Sequence, residues 1–213
     1  MIKKRSKEEL KNKLHRALYQ VVTKEGIEGV TVRKISKASE LSDPYIYQCY
    51  KNLGEMMETA FLEIDGEVTA LVESLMNDPE FQEKTGKSLE HSCWVTWKAY
   101  WDFLMQDSEK TIFYWRYYQS ARYTKEFLGT RKNVLHAFVT YMEKTGSMCG
   151  ITEAADPEVI MSNIIDGTVS VAVKMHLGYI KLNELKASTV YQSVFALFFH
   201  LLHVDVWDES CIQ

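Results

Sequence analysis

The stretch Glu40 to Asn52, ELSDPYIYQCYKN, puts an acid and a proline where a short helix would begin, then sets Tyr45, Tyr47 and Tyr50 within six residues beside Gln48 and Lys51. Facing outward, these side chains offer hydroxyl, amide and ammonium groups to a partner; facing inward, the tyrosines make a core turn. A second concentration lies in residues 93–123, where eleven of thirty-one residues are aromatic. Trp94, Trp97 and Trp101 recur at i, i+3 and i+7, and Tyr114, Tyr117 and Tyr118 share one face of the next segment. Two such stripes, expected to face each other, are either core or pocket wall. So many Trp and Tyr polar ends need partners when buried, which favours a partly wet cavity over a dry core. Metal chemistry finds less support: His200 and His203 stand at i, i+3 with no carboxylate or cysteine on their face, a pattern commoner among core histidines than metal ligands. Cys49, Cys93, Cys149 and Cys211 are scattered singly, so neither a zinc site nor a disulfide framework is suggested and reduced thiols are expected. No nucleophile elbow, phosphate loop or paired-carboxylate motif is present. Neither catalysis nor a cofactor is therefore expected.

The elements that must position these residues read as helices, because apolar residues recur at a period close to 3.6 and only Pro44, Pro79 and Pro157 interrupt the chain. In the first segment Leu10, Leu14, Ala17, Leu18, Val21 and Val22 fall on one face and Gly26 is placed to stop the helix, giving an amphipathic helix of about five turns. Thr31 is placed to N-cap a short helix, VRKISKAS, with Val32, Ile35 and Ala38 inward, and a third short helix begins at Asp43-Pro44. The few residues between these two give helix-turn-helix spacing. From Leu53 a longer pattern through Met56, Met57, Ala60, Phe61, Ile64, Val68, Leu71 and Leu75 runs to Asn77-Asp78-Pro79. Further helices are expected over about Ser88–Gln106, Ser108–Arg122, Lys125–Lys144, Pro157–Leu177 and Ala187–Val206. The fold class is therefore all-α, with a small N-terminal three-helix domain over 1–52 and a larger helical domain over 53–213 entered through a long linking helix.

Charge separates the same two regions. Residues 1–55 hold 12 Lys and Arg against 7 Asp and Glu, whereas residues 56–213 hold 13 against 22, so a head of +5 sits on a body of −9. That asymmetry points to a polyanion as partner of the head, although lysine-rich ends are also common as solvated tails. No apolar run approaches a membrane span, and the N-terminus lacks the unbroken apolar run of a signal peptide. A cytoplasmic protein with no membrane partner is the expectation.

The run LHRALYQVVTKEGIEGVTVRKISKASELSDPYIYQCYKNLGEMMETAF resembles the DNA-binding domain of TetR-family transcriptional regulators of the TetR/AcrR type, on Gly26, Thr31, Val32, Ile35, Ser39, Leu41, Ser42, Ile46, Tyr47 and Tyr50. The likeness covers about a quarter of the chain; beyond it only helix number and length agree. Two positions depart from the pattern: Ser39-Glu40 stand where the family has Ala-Gly, and Leu53 stands where it commonly has lysine. Glu40 lacks the freedom of glycine at positive φ, so its turn takes another geometry or carries mild strain.

The resemblance implies a double-stranded DNA operator as partner. Thr31 and Arg33 would meet phosphate at the start of the second helix, and Tyr47, Tyr50 and Lys51 match backbone-contacting positions. Ser42, Asp43, Tyr45 and Gln48 would face base edges, Gln48 being able to bind adenine in a bidentate manner. Plainer roles stand beside these. Ile46 and Tyr50 can be core, Ser42 can be a helix cap, and Asp43 either caps its helix or accepts from a cytosine amino group.

By the same resemblance the middle helices enclose a small-molecule effector of aromatic or apolar character, with Trp94, Trp97, Trp101, Tyr114, Tyr117 and Tyr118 as wall. Asn163 and Asp166, with Arg116 and Arg122, are polar candidates to orient it, against a plainer fate in solvent or ion pairs. The last two helices are apolar around much of their circumference and require cover. A second copy of the chain is the natural cover, with Gly167 and Ser170 permitting close approach, and the resemblance implies a homodimer on a near-palindromic operator. The expected function is a DNA-binding regulator, a repressor released by ligand. The alternative is a TetR-like module that binds small molecules or proteins without specific DNA binding, motivated by Glu40, Asp43 and the missing lysine.

Overall fold

The computed structural model describes residues 6–78, 89–123, 157–181 and 186–201. Every regular element among them is a helix: α1 (Lys7–Glu25), α2 (Val32–Ser39), α3 (Asp43–Cys49), α4 (Leu53–Met76), α5 (Leu89–Gln106), α6 (Ser108–Tyr118), α7 (Pro157–His176) and α8 (Ala187–Leu201). The helix expected over Lys125–Lys144 lies outside the described residues, as do His203, Cys149 and Cys211. No described helix is long and apolar enough to cross a membrane.

The helices group into two compact units, one holding the described residues of 1–64 and 107–127, the other those of 65–106 and 128–213. This packing boundary differs from a division at residue 52, because the start of α4 and all of α6 pack with the N-terminal helices.

In the first unit α1 begins with a reciprocal cap. Ser6 Oγ accepts from Glu9 N–H at 3.1 Å, and Glu9 Oε2 accepts from Ser6 N–H at 2.7 Å, which satisfies two donors that a helix start leaves open. Gly26, at φ 80°, ends the helix and returns its N–H to Val22 O at 2.9 Å. Leu14, Leu18, Ile35, Ile46, Met56 and Phe61 are fully buried, each contributing about 1.5–3 kcal/mol of transfer free energy. On α2 the inward residues are Ile35 and Ser39, with Ala38 exposed; the helix is turned by one position from the expected Val32, Ile35, Ala38 face because i, i+4 neighbours stack on one side. Phe61 of α4 lies at ring-centroid distances of 5.0 Å from Tyr114 and 4.9 Å from Tyr117, both on α6. Tyr19 of α1 meets Phe113 of α6 at 5.0 Å. Polar contacts fix both ends of that pairing. Arg16 donates to Asp107 at 2.6 Å, and Arg116 Nη1 donates to Val22 O and, at 3.0 Å, to Thr23 O, filling carbonyls left open at the end of α1.

The second unit is held by α5, α7 and α8. Trp97 Nε1–H donates to Thr168 Oγ1 at 2.9 Å, and the Thr168 hydroxyl donates on to Ile164 O at 2.7 Å. Tyr191 of α8 packs edge-on against Trp94 at 5.1 Å and beside Phe195 at 4.5 Å, while its hydroxyl donates to Glu90 O at 3.2 Å. His176 donates from Nε2 to Leu104 O at 2.9 Å. Gly167 lets α7 and α8 approach within the chain, since a Cβ there would sit 3.3 Å from Val194 Cγ1. Its small size is thus used within the chain.

Candidate nucleic-acid interface

The turn between α2 and α3 is built by two caps of different kinds. Thr31 starts α2, its Oγ1 accepting from Lys34 N–H at 3.3 Å. At the other end Glu40 adopts φ 53°, ψ 32°, and Leu41 N–H reaches back to Ser36 O at 3.2 Å. Of the two outcomes left open for a non-glycine residue here, the structure takes the left-handed one, at a cost of about 1 kcal/mol. Its carboxylate lies 3.6 Å from Lys13 Nζ and is largely exposed, so the ion pair offsets little of that cost.

Ser42 occupies the N-cap position of α3 but makes no side-chain capping bond, and its hydroxyl is exposed. Capping is therefore not what its side chain does. Asp43, in the first turn, accepts a hydrogen bond from Ser36 Oγ on α2, so it braces the two helices against each other. Pro44 occupies the first turn of α3, where its missing N–H costs nothing.

From that turn α3 presents a face of polar and aromatic groups. Tyr45 is 41% and Tyr47 58% exposed, and Ser42, Asp43, Gln48 and Lys51 are exposed with them. Arg33 at the start of α2 is exposed too, as is Lys37 at its end, a cation the sequence reading passed over. Lys34 is not available in the same way, being tied to Glu25 and, at 2.8 Å, to Gly29 O. Ile46 alone among α3 side chains is buried.

Tyr50 departs from the expected phosphate contact. It is 3% exposed, and its hydroxyl lies 2.6 Å from His15 Nε2; burial pushes that hydroxyl far above its ordinary range, with the nearby Glu63 charge adding to it. The plainer core reading is the structural one, and the signal was present: Tyr50 stands four residues after Ile46, on the same helical face.

The two aromatic stripes fall in different units. Trp97 and Trp101 are buried and Trp94 half-buried in the second unit. Trp97 lies between its neighbours at 5.6 Å from Trp94 and 5.4 Å from Trp101. Tyr114 and Tyr117 are buried in the first unit against Phe61, and Tyr118 meets Tyr123 edge-on at 4.9 Å. The helix that bears Tyr114, Tyr117 and Tyr118 packs on α1 and α4. Arg116 is spent on α1 carbonyls and Arg122 lies 3.9 Å from Glu28. Asn163 is exposed and Asp166 half-buried on α7. Burial raises the Cys93 thiol to about 12, so it is an inert packing group.

No protein-family model and no curated relative matches the chain. Solved structures do. A TetR family transcription regulator from Marinobacter aquaeolei VT8 superposes with a TM-score of 0.67 at 14% identity over 91% of this chain and 95% of its own. The fatty acid degradation regulator FadR from Bacillus halodurans gives 0.64 at 18% identity over 94% and 97%. The transcriptional regulator FadR from Bacillus subtilis, in complex with stearoyl-CoA, gives 0.63 at 15% identity over 92% and 99%. With a capped helix-turn-helix at its start and a longer helical body after it, the chain has the fold of the TetR-family transcription regulators.

Proposed function

We propose that the chain is a DNA-binding transcriptional regulator, a ligand-responsive repressor acting as a homodimer on a near-palindromic operator. One observation carries this reading: α3 buries Ile46 alone and turns Tyr45, Tyr47 and Gln48 outward from a braced turn. A two-turn helix that spends so little of itself on the core is suited to enter a major groove by its N-terminal end. Gln48, Tyr45, Ser42 and Asp43 then meet base edges, while Thr31, Arg33, Tyr47 and Lys51 hold phosphates.

Selection of bound fragments from genomic DNA tests the reading directly. A regulator recovers a discrete sequence and loses affinity steeply with salt, through counterion release. The exposed carboxylates of Glu40 and Asp43 favour a second reading, a module that binds small molecules or proteins without specific DNA. Failure to enrich any fragment at low salt selects that second reading.

The effector belongs to the second unit, with Trp94, Trp97 and Trp101 as the residues that would meet it, oriented by Asn163 and Asp166. The stearoyl-CoA held by the Bacillus subtilis FadR supports an apolar, acyl-type ligand, and its binding is measurable by quenching of tryptophan fluorescence. A ligand releases DNA only by favouring the conformation that binds DNA poorly. α4, which begins in the first unit and ends in the second, is the element to transmit that preference. Exposed Val159 and Leu197 on α7 and α8 support a dimer through these helices. Sedimentation of the wild type and of Leu197→Glu tests it, the variant shifting to monomer.

A further inference from the structure

Behind α3, side chains from three segments join in one hydrogen-bonded chain. Tyr50, which closes α3, holds its hydroxyl 2.6 Å from His15 Nε2 on α1, and His15 Nδ1 lies 2.9 Å from Glu63 Oε2 on α4. A carboxylate only accepts, so Nδ1 carries the hydrogen and Nε2 of the neutral ring accepts from the Tyr50 hydroxyl. The two rings stack at 5.7 Å and 27°. Lys11 Nζ lies 5.7 Å from the centroid of the Tyr50 ring. His15 is 4% exposed, so a ring nitrogen that loses its partner is left unsatisfied among packed groups, while Glu63 reaches it from a half-exposed position.

Ile46 and the Ser36–Asp43 bond hold the start and middle of α3; Tyr50 fixes its far end. We infer that His15 is a positioning residue for DNA reading: it touches no nucleic acid, and by holding Tyr50 against Glu63 it sets the angle at which α3 presents Tyr45, Tyr47 and Gln48. Because Glu63 rides on α4, that angle follows the placement of α4. The inference deepens the regulator reading and rests on it.

The test uses the full chain, an operator fragment selected from genomic DNA and an unrelated duplex of equal length. His15→Phe and Tyr50→Phe each weaken operator binding by about tenfold while changing binding to the unrelated duplex less than about twofold. The double variant is no weaker than either single one, since both break the same bond. His15→Gln, whose amide can accept from Tyr50 and donate to Glu63, recovers most of the operator affinity, and Glu63→Leu reproduces the loss. Tyr50→Phe removes only one oxygen, so it serves where His15→Phe fails to fold. Fully additive losses, parallel losses on both duplexes, or parent-like operator binding by folded variants overturns the inference alone. A parent chain that selects no operator overturns the regulator reading, and the inference with it.

Discussion

The two units bury aromatic residues to opposite ends. In the first, Phe61, Tyr114, Tyr117, Tyr19 and Phe113 fill the space beside α1, and charged groups clasp its rim through Arg16, Arg116 and the His15 chain. In the second, Trp94, Trp97, Trp101, Tyr191 and Phe195 form a continuous stack in which the Trp97 indole and the Tyr191 hydroxyl donate to neutral oxygens. The first arrangement fixes orientation, because ion pairs and a relay through imidazole are directional. The second fixes volume and leaves geometry more tolerant, because ring contacts have broad optima. A surface that must present side chains at one angle is served by the first kind of core, and an interior that accommodates apolar matter by the second.

The largest test of that contrast is Phe61→Ala. Phe61 is fully buried between two rings of α6, and its loss costs about 3–5 kcal/mol, read by chemical denaturation together with loss of duplex binding. If duplex binding survives intact, α6 is not part of what orients the reading helices. Next in size is Trp97→Phe, which keeps a ring in the second stack but removes the donor to Thr168, costing about 1–3 kcal/mol. Duplex affinity at a temperature where the variant is folded should be unchanged; a matching fall would mean that the two cores do not divide the work.

Glu40→Gly acts in the other direction. Removing the left-handed strain at φ 53° stabilises the first unit by about 1 kcal/mol, and loss of the exposed carboxylate raises duplex affinity at low salt. A lower denaturation midpoint would show that the turn is not strained. The smallest effect is that of pH. Burial holds His15 below its ordinary pKa of 6.5, Glu63 opposing that shift and Lys11 adding to it, so the fold binds this proton less readily than the unfolded chain. Its contribution is complete above pH 6.5 and declines as pH falls toward the depressed value. Denaturation midpoints at pH 7.5 and 5.5 should differ less in His15→Gln than in the parent.

Much of the fold was legible because helix starts and stops are local chemistry. Gly26, Thr31 and Asp43-Pro44 mark the ends of their helices in the sequence and in the structure alike. Periodicity also gave the buried face of α4 through Met56, Met57, Ala60, Phe61, Ile64 and Val68. It could not give the partner of a face. Tyr114 and Tyr117 lie on an inward stripe, as read, and Phe61 of α4 is a ring neighbour of both; nothing in a 3.6 period states which helix comes to meet such a stripe. His15 was passed over for a related reason: its value arises from Tyr50 and Glu63, both distant in the chain.

The hold of Arg116 on the last carbonyls of α1 has a bearing on how the protein comes into being. The bond closes a loop of more than ninety residues, counted as a separation of 94 from Val22, and such closure is slow and entropically costly. As the chain leaves the ribosome, α1 to α3 are complete long before α6 exists to cover their aromatic side. A message cut short before residue 107 therefore yields helices that lack their covering layer.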